Sequence, residues 1–327
     1  MPQRLRQLEQ WLDLSCHLPP HEIAPASVDA SFRRYFRITL PNGSTLIAMD
    51  APPGKEDCRP FVAVAERMAA AGLHVPRILE QDLENGFLLL EDLGCLPYLA
   101  ALSPDSVGQL YGDAMGKLLQ LQSAAPTDDL PRYDRAMLLR EMELFPDWLL
   151  REHLHLSLSD LDRRMLEHSF ARLVDSALAQ PVVCVHRDFH SRNLMVVRDN
   201  NPGVIDFQDA VAGPITYDLA SLLRDCYISW PTSRVDAWVH EYHRLATDIG
   251  LIRGVDRSVF LAWFDLMGVQ RHLKASGIFA RLNHRDGKPG YLADIPRTLG
   301  YIVDVGQRRS TLRPLSEFVA ARVLPRL

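Results

Sequence analysis

The sequence has no Cys-x-x-Cys pair, and its five cysteines (Cys16, Cys58, Cys95, Cys184, Cys226) stand far apart and leave an odd thiol. That spacing excludes a disulfide framework and a thiolate zinc site, and it suits a protein of the reducing cytoplasm. No apolar run approaches the roughly 18 residues of a membrane span, and the opening MPQRLRQLEQWLDLS mixes charges into its apolar positions. A membrane partner is therefore not expected. A surplus of positive charge is missing as well: 36 Lys and Arg stand against 41 Asp and Glu, a net charge of −5. With no global positive field to hold a phosphate backbone, nucleic acid is not an expected partner either. Internal repeats and low-complexity tracts are absent. What is present is 327 residues, 47% hydrophobic and 24% charged, an ordinary globular mixture. At roughly 150 residues per domain, that length allows two lobes. A cytoplasmic monomer is the expectation.

The apolar pattern divides the chain. Leu5, Leu8, Trp11 and Leu12 have helical spacing, and Pro19-Pro20 stops that helix. Residues 31–50 place two β-rich runs around Pro41-Asn42-Gly43, a hairpin signal. A helix over 61–71 ends at Gly72, and extended runs follow at 75–79 and 87–92. After Gly94 the texture turns helical: Val107, Leu110, Tyr111, Ala114, Met115, Leu118 and Leu119 form one apolar stripe. Another helix is expected over 158–179, then short strands at 182–185, 193–197 and 203–205, with helices dominating from Asp218, itself a natural helix N-cap. The boundary falls at the 91–94 joint, which gives lobes of 1–92 and 93–327.

Chemistry concentrates in HRDFHSRNLMVVRDNNPGVIDFQDAVAGPITYD, from His186 to Asp218. Asp188 and Asn193 flank a tight loop, and Asp206 ends the apolar segment Val204-Ile205, so a loop and hairpin can aim three polar tips into one cavity. Phosphoryl transfer needs such a set: one carboxylate to orient the nucleophile, and a carboxylate with an amide oxygen to hold Mg²⁺ on the phosphates.

At these residues the chain resembles the kinase superfamily, with H-R-D-x-x-x-x-N at His186 to Asn193 and D-F-Q at Asp206 to Gln208. The fuller pattern V-H-R-D-F-H-S-R-N-L-M, I-D-F-Q-D-A and Y-D-L-A is similar to aminoglycoside phosphotransferase-like small-molecule kinases. That resemblance implies an α+β, bilobal protein-kinase-like fold, with a small β-rich nucleotide-binding lobe and a larger, mainly helical catalytic lobe, using ATP and Mg²⁺. It implies Asp188 as catalytic base, Asn193 and Asp206 as metal ligands, and His190 as a cation meeting the transferred phosphate. Ser31, Phe32, Arg33 and Arg34 would form the phosphate-covering turn, and backbone groups at Glu91, Asp92 and Leu93 the adenine hinge. Met49 would join the nucleotide site from the third strand, where a kinase normally carries a lysine and this sequence reads Leu46-Ile47-Ala48-Met49-Asp50. Arg33, Arg34 or Arg37 would supply the missing charge.

The acceptor requires its own argument. A cationic acceptor wants acidic or aromatic surroundings, whereas VQRHLKASGIFARL, from Val269 to Leu282, is rich in cations and amides. A neutral or anionic acceptor is favoured, bound by Gln208, Asp209, Arg224, Gln270, Arg271 and Lys274. With S-F-R-R-Y-F-R and M-G-V-Q-R-H-L-K-A-S-G-I-F-A-R-L added, the chain most resembles bacterial kinases that phosphorylate the anomeric hydroxyl of the amino sugars N-acetylmuramate and N-acetylglucosamine in peptidoglycan recycling. Arg224, Arg271 or Lys274 would then meet the lactyl carboxylate of N-acetylmuramate. The competing readings are a choline, homoserine or aminoglycoside kinase, a nucleotide-binding pseudokinase lacking the strand lysine, and a metallohydrolase built on His186-x-Asp188-x-His190, which lacks further ligands nearby.

Overall fold

The computed structural model describes residues 2–27 and 32–327. In chain order the main elements are α1 (Pro2–Leu14), β1 (Glu22–Ser27), β2 (Arg34–Thr39), β3 (Thr45–Asp50), α2 (Arg59–Ala70), β4 (Ile78–Asp82), β5 (Phe87–Glu91), α3 (Tyr98–Ala101), α4 (Val107–Ala124), α5 (Arg135–Met142), α6 (Asp160–Leu178), β6 (Val182–Val185), β7 (Leu194–Met195), β8 (Gly203–Val204), β9 (Val211–Pro214), α7 (Thr216–Leu223), α8 (Thr232–Asp248), α9 (Arg257–Asp286), α10 (Ile295–Arg308) and α11 (Arg313–Phe318). They divide into one unit of Met1–Pro97 with Leu194–Asp209, and another of Tyr98–Asn193 with Ala210–Leu327.

The first unit is built on an antiparallel sheet of order β1-β2-β3-β5-β4. The β2–β3 turn closes because Gly43 adopts φ +81 and Leu40 pairs with Ser44 through the backbone, as the Pro-Asn-Gly signal implies. Strand alternation sends Phe36, Ile38, Ala48, Phe87 and Leu89 to one face, where α1 buries Leu8, Trp11 and Leu12 against them. β1 has no counterpart in the sequence reading because Pro25 interrupts its pattern. The sheet accommodates that proline at an edge, beside a register shift between Pro25 and Ser27. The buried Asp50 carboxylate is clamped by Arg4 and Arg34.

The division differs from the expected 1–92 and 93–327 in two places. The first unit runs on to Pro97, and the β7–β8 hairpin belongs with it. Its backbone explains this: Val204 N–H donates to His74, Val196 N–H donates to Leu96, and Met195 bridges Pro97. Sequence separation concealed these bonds.

The second unit is helical around the β6–β9 pair. The α4 stripe from Val107 to Leu119 is buried as expected. At its centre runs α9, 30 residues long, and a Cβ at Gly277 would come 2.3 Å from the backbone of Leu144, so only glycine lets the two segments approach this closely. Much of α9 is buried all round, including Gln270, Arg271 and Lys274. A helix that buries charge needs partners for it, and those partners form the site. Among the described residues no helix is long and apolar enough to cross a membrane.

Candidate active site

The loop after β6 is fixed by a carboxylate from α7. Asp218 does not cap that helix as the sequence suggested: it lies within the first turn, fully buried, and accepts the backbone N–H groups of His186 and Arg187 at 2.7 and 2.9 Å. Burial lifts its carboxyl to about 7 against the pull of those two donors. The bonds hold Arg187 at φ +78, a conformation that non-glycine residues adopt only when the surroundings impose it. His186 is buried under the loop, its Nδ1 3.2 Å from the Asp188 backbone nitrogen and its ring against Phe189. The loop then closes on itself: the backbone N–H of His190 and the carboxamide Nδ2 of Asn193 both donate to the Asp188 carbonyl at 3.0 Å. Asp225 accepts from Ser191 N–H at 2.9 Å and from Tyr227 N–H at 2.9 Å, anchoring the middle of the loop.

This geometry isolates Asp188 among cations. Burial opposes its charge, yet Lys274 and Arg271 on α9 outweigh that and hold the carboxyl below the ordinary range. An ionised Asp188 can orient a hydroxyl and take its proton. His190 lies two residues further along the same loop. Burial lowers its imidazole below its usual value against the attraction of Asp225 and Asp188, so the ring is neutral at pH 7. It packs edge-on against Tyr227, and its buried Nδ1 has no hydrogen-bond partner.

Of the α9 candidates, Lys274 lies 3.2 Å from Glu141 and 3.0 Å from the Tyr217 hydroxyl. Glu141 also binds Arg187 and the Tyr133 hydroxyl. Gln270 donates to Tyr133 at 3.1 Å and keeps its buried Oε1 without a partner. Arg271 is buried, with Nη1 3.6 Å from the Cys226 sulfur. Arg224 does not join them: its guanidinium is 2.5 Å from Asp265, a carboxylate that Arg308 and Arg309 also bind, and lies over the Phe264 ring. Glu141, Tyr133, Tyr217 and Asp225 join the site without a sequence motif that assigns them a role. Glu141 left one signal, a carboxylate on the same helical face as buried Leu138 and Met142.

In the first unit, Asp206 takes φ +63 and accepts from Gln208 Nε2 at 2.9 Å, while Gln208 Oε1 is buried without a partner. Asp209 contributes to the field around Arg33. Ser31 lies outside the described residues. Phe32 is exposed beneath the Lys55 ammonium, 4.4 Å from its ring centre. The three hairpin arginines are each engaged: Arg33 with Glu56 at 3.2 Å, Arg34 with Asp50, and Arg37 with Asp92 at 2.6 Å. Met49 is fully buried. At the expected hinge, Asp92 binds Arg37 and Gly94 N–H, Glu91 pairs with Arg77 at 3.1 Å, and Leu93 packs against Gly203.

The proposed metal donors, the Asp206 carboxylate and the Asn193 carboxamide, offer oxygen only, which fits a hard cation such as Mg²⁺. Among the described residues no group of three or more His, Cys, Asp or Glu is placed to hold a metal ion. The pattern of the phosphotransferase enzyme family matches residues 22–255. The chain belongs to that family. It is 50% identical to a Pseudomonas aeruginosa protein named N-acetylmuramate/N-acetylglucosamine kinase, over 97% of this chain and 96% of that one. A Pseudomonas putida protein of the same name is 47% identical over 97% and 96%. In fold it is similar to an ethanolamine kinase of Plasmodium vivax, with a TM-score of 0.64 at 10% identity, covering 91% of this chain and 86% of the other. The expected α+β kinase-like fold is therefore the fold found.

Proposed function

We propose that this protein transfers the γ-phosphoryl group of ATP to the anomeric C1 hydroxyl of N-acetylmuramate or N-acetylglucosamine, giving the α-1-phosphate for peptidoglycan recycling in the cytoplasm. The observation that carries the chemistry is Asp188, half-buried yet kept ionised by Lys274 and Arg271 on a loop tied down by Asp218 and Asn193. The acceptor class rests on the names of relatives up to half identical along nearly the whole chain.

Asp188 accepts the C1 hydroxyl proton as the oxygen bonds to the γ-phosphorus and the bond from that phosphorus to ADP breaks. An anomeric hydroxyl is more acidic than an ordinary alcohol, so Asp188 works more by orientation than by deep proton abstraction. Asn193 and Asp206 would hold Mg²⁺, and Gln208 would fix the Asp206 carboxylate. When bound, the ion offsets negative charge on the phosphates. Neutral His190, Gln270, Arg271 and Lys274 would face the acceptor, with Asp209 as a further contact, while Arg224 keeps its structural pairing with Asp265. Phe32, Arg33, Met49, Glu91, Asp92 and Leu93 stay assigned to the nucleotide side by the family resemblance, while Arg34 holds the buried Asp50 carboxylate.

The test is incubation with ATP, Mg²⁺ and each amino sugar. A sugar phosphate stable to base and labile to acid is expected; a 6-phosphate, or turnover of choline or an aminoglycoside in preference to both sugars, would overturn the assignment.

A further inference from the structure

The loop that carries Asp188 also carries an arginine without a carboxylate. Arg192 is exposed, and its guanidinium carbon lies 4.6 Å from the ring centre of Tyr227 and 5.4 Å from that of Tyr291. Among the described residues it makes no ion pair or hydrogen bond. The rings beneath it are themselves braced: Tyr291 stacks on buried Phe279 at 5.6 Å, Tyr227 meets Phe279 at 6.2 Å, and Tyr227 packs on His190 at 5.4 Å. The neighbouring cations differ. Arg187 and Lys274 share Glu141, and Arg224 is held by Asp265. Arg271 lies buried beside Cys226, in the field of Asp225 and Asp188.

A guanidinium laid flat on aromatic faces keeps its N–H edge outward, in the planar fork that grips a carboxylate through two parallel hydrogen bonds. Support from two rings also lowers the conformational freedom lost when that grip forms. The tyrosine rings add apolar faces with polar tips, a surface suited to the C–H face and hydroxyl rim of a sugar. We propose that Arg192, braced on Tyr227 and Tyr291, binds the lactyl carboxylate of N-acetylmuramate and sets the preference between that acceptor and neutral N-acetylglucosamine. This inference rests on the amino-sugar reading above. It moves the carboxylate contact from Arg224, Arg271 and Lys274, which are buried, to an exposed residue one position before Asn193.

The experiment measures kcat/KM for both sugars, and for the methyl ester of N-acetylmuramate, in the full-length wild type, R192K and R192Q. A hydrogen bond to a charged group in this setting is worth about tenfold or more. The N-acetylmuramate to N-acetylglucosamine ratio of kcat/KM is therefore expected to fall at least about tenfold in R192Q, mainly through KM, with partial recovery in R192K. Esterifying the carboxylate should cost the wild type a similar factor and R192Q far less. The ester arm reads the contact in the wild type even where a variant folds poorly. An unchanged ratio, an equal loss on both sugars, or a rise confined to the KM for ATP would overturn the assignment of Arg192 while leaving the amino-sugar reading in place. A wild type that phosphorylates neither sugar defeats that reading, and this inference with it.

Discussion

Replacing Glu141 by Gln keeps the shape of a buried side chain and removes its charge. In the native protein that charge sits 3.2 Å from the Lys274 ammonium. At an effective dielectric constant near 20, such a separation gives an attraction of about 5 kcal/mol. Desolvation of both groups offsets much of it, so the intact cluster adds little net stability. Breaking it is a different matter, because Lys274 and Arg187 would remain buried beside a neutral amide. Removing one partner of a buried pair costs about 3–5 kcal/mol. The direction of titration sharpens this. Burial opposes the charge of Glu141, but Lys274 and Arg187 outweigh it and hold its carboxyl below the ordinary range. A carboxyl lowered on folding stabilises above its unfolded value, near pH 4.3 for glutamate, and that contribution fades as pH falls through the folded value. The assay is urea unfolding followed by circular dichroism. E141Q should unfold at a midpoint about 1 M lower than wild type at pH 7, and the gap should narrow below about pH 4. K274M in the E141Q background should recover part of the loss by removing one orphaned cation. Equal midpoints at pH 7, or a gap that widens on acidification, would refute the reasoning.

Four further outcomes follow from the same structure. Asp188→Asn should lower turnover by about 10²- to 10⁴-fold with an unchanged circular dichroism spectrum; a fully active variant removes Asp188 from the chemistry. Asp218→Asn should flatten the pH dependence of melting: an acid whose folded value is about 7 contributes stability that is complete below its unfolded value near 3.9 and lost as pH rises through 7. Wild type should therefore lose stability relative to the variant between those limits, and parallel melting profiles would contradict this. Gly277→Ala should cost several kcal/mol, on the order of 3 or more, because its new methyl meets the Leu144 backbone rather than a movable side chain; a melting temperature within a degree or two of wild type counts against the close approach. Arg34→Ala should destabilise the fold by about 1–3 kcal/mol through the buried Asp50 carboxylate while leaving the KM for ATP within about threefold, a shift worth less than 1 kcal/mol; a large rise in that KM would return the arginine to the phosphates.

Local patterns carried the fold a long way. The seven apolar positions from Val107 to Leu119 face inward because three-and-four spacing needs no knowledge of the rest of the chain. Asp188 and Asn193 were readable for the same reason, since one tight loop fixes both. What escaped the sequence depends on distant partners. Glu141 gains its meaning only from Arg187 and Lys274, and Asp218 serves the loop 31 and 32 residues earlier rather than its own helix end. Arg224 looked like a substrate cation because nothing near it in the sequence reveals Asp265, 41 residues on. Pro25 hid an edge strand, and the bonds of the β7–β8 hairpin to His74 and Leu96 hid its membership of the first unit.

The account turns on where the phosphoryl group arrives. Magnetic resonance of the product made from ATP, Mg²⁺ and N-acetylmuramate labelled with carbon-13 at C1 reads this directly. Coupling between the labelled carbon and phosphorus is the expected result; a phosphorylated sugar whose C1 shows no such coupling would contradict it.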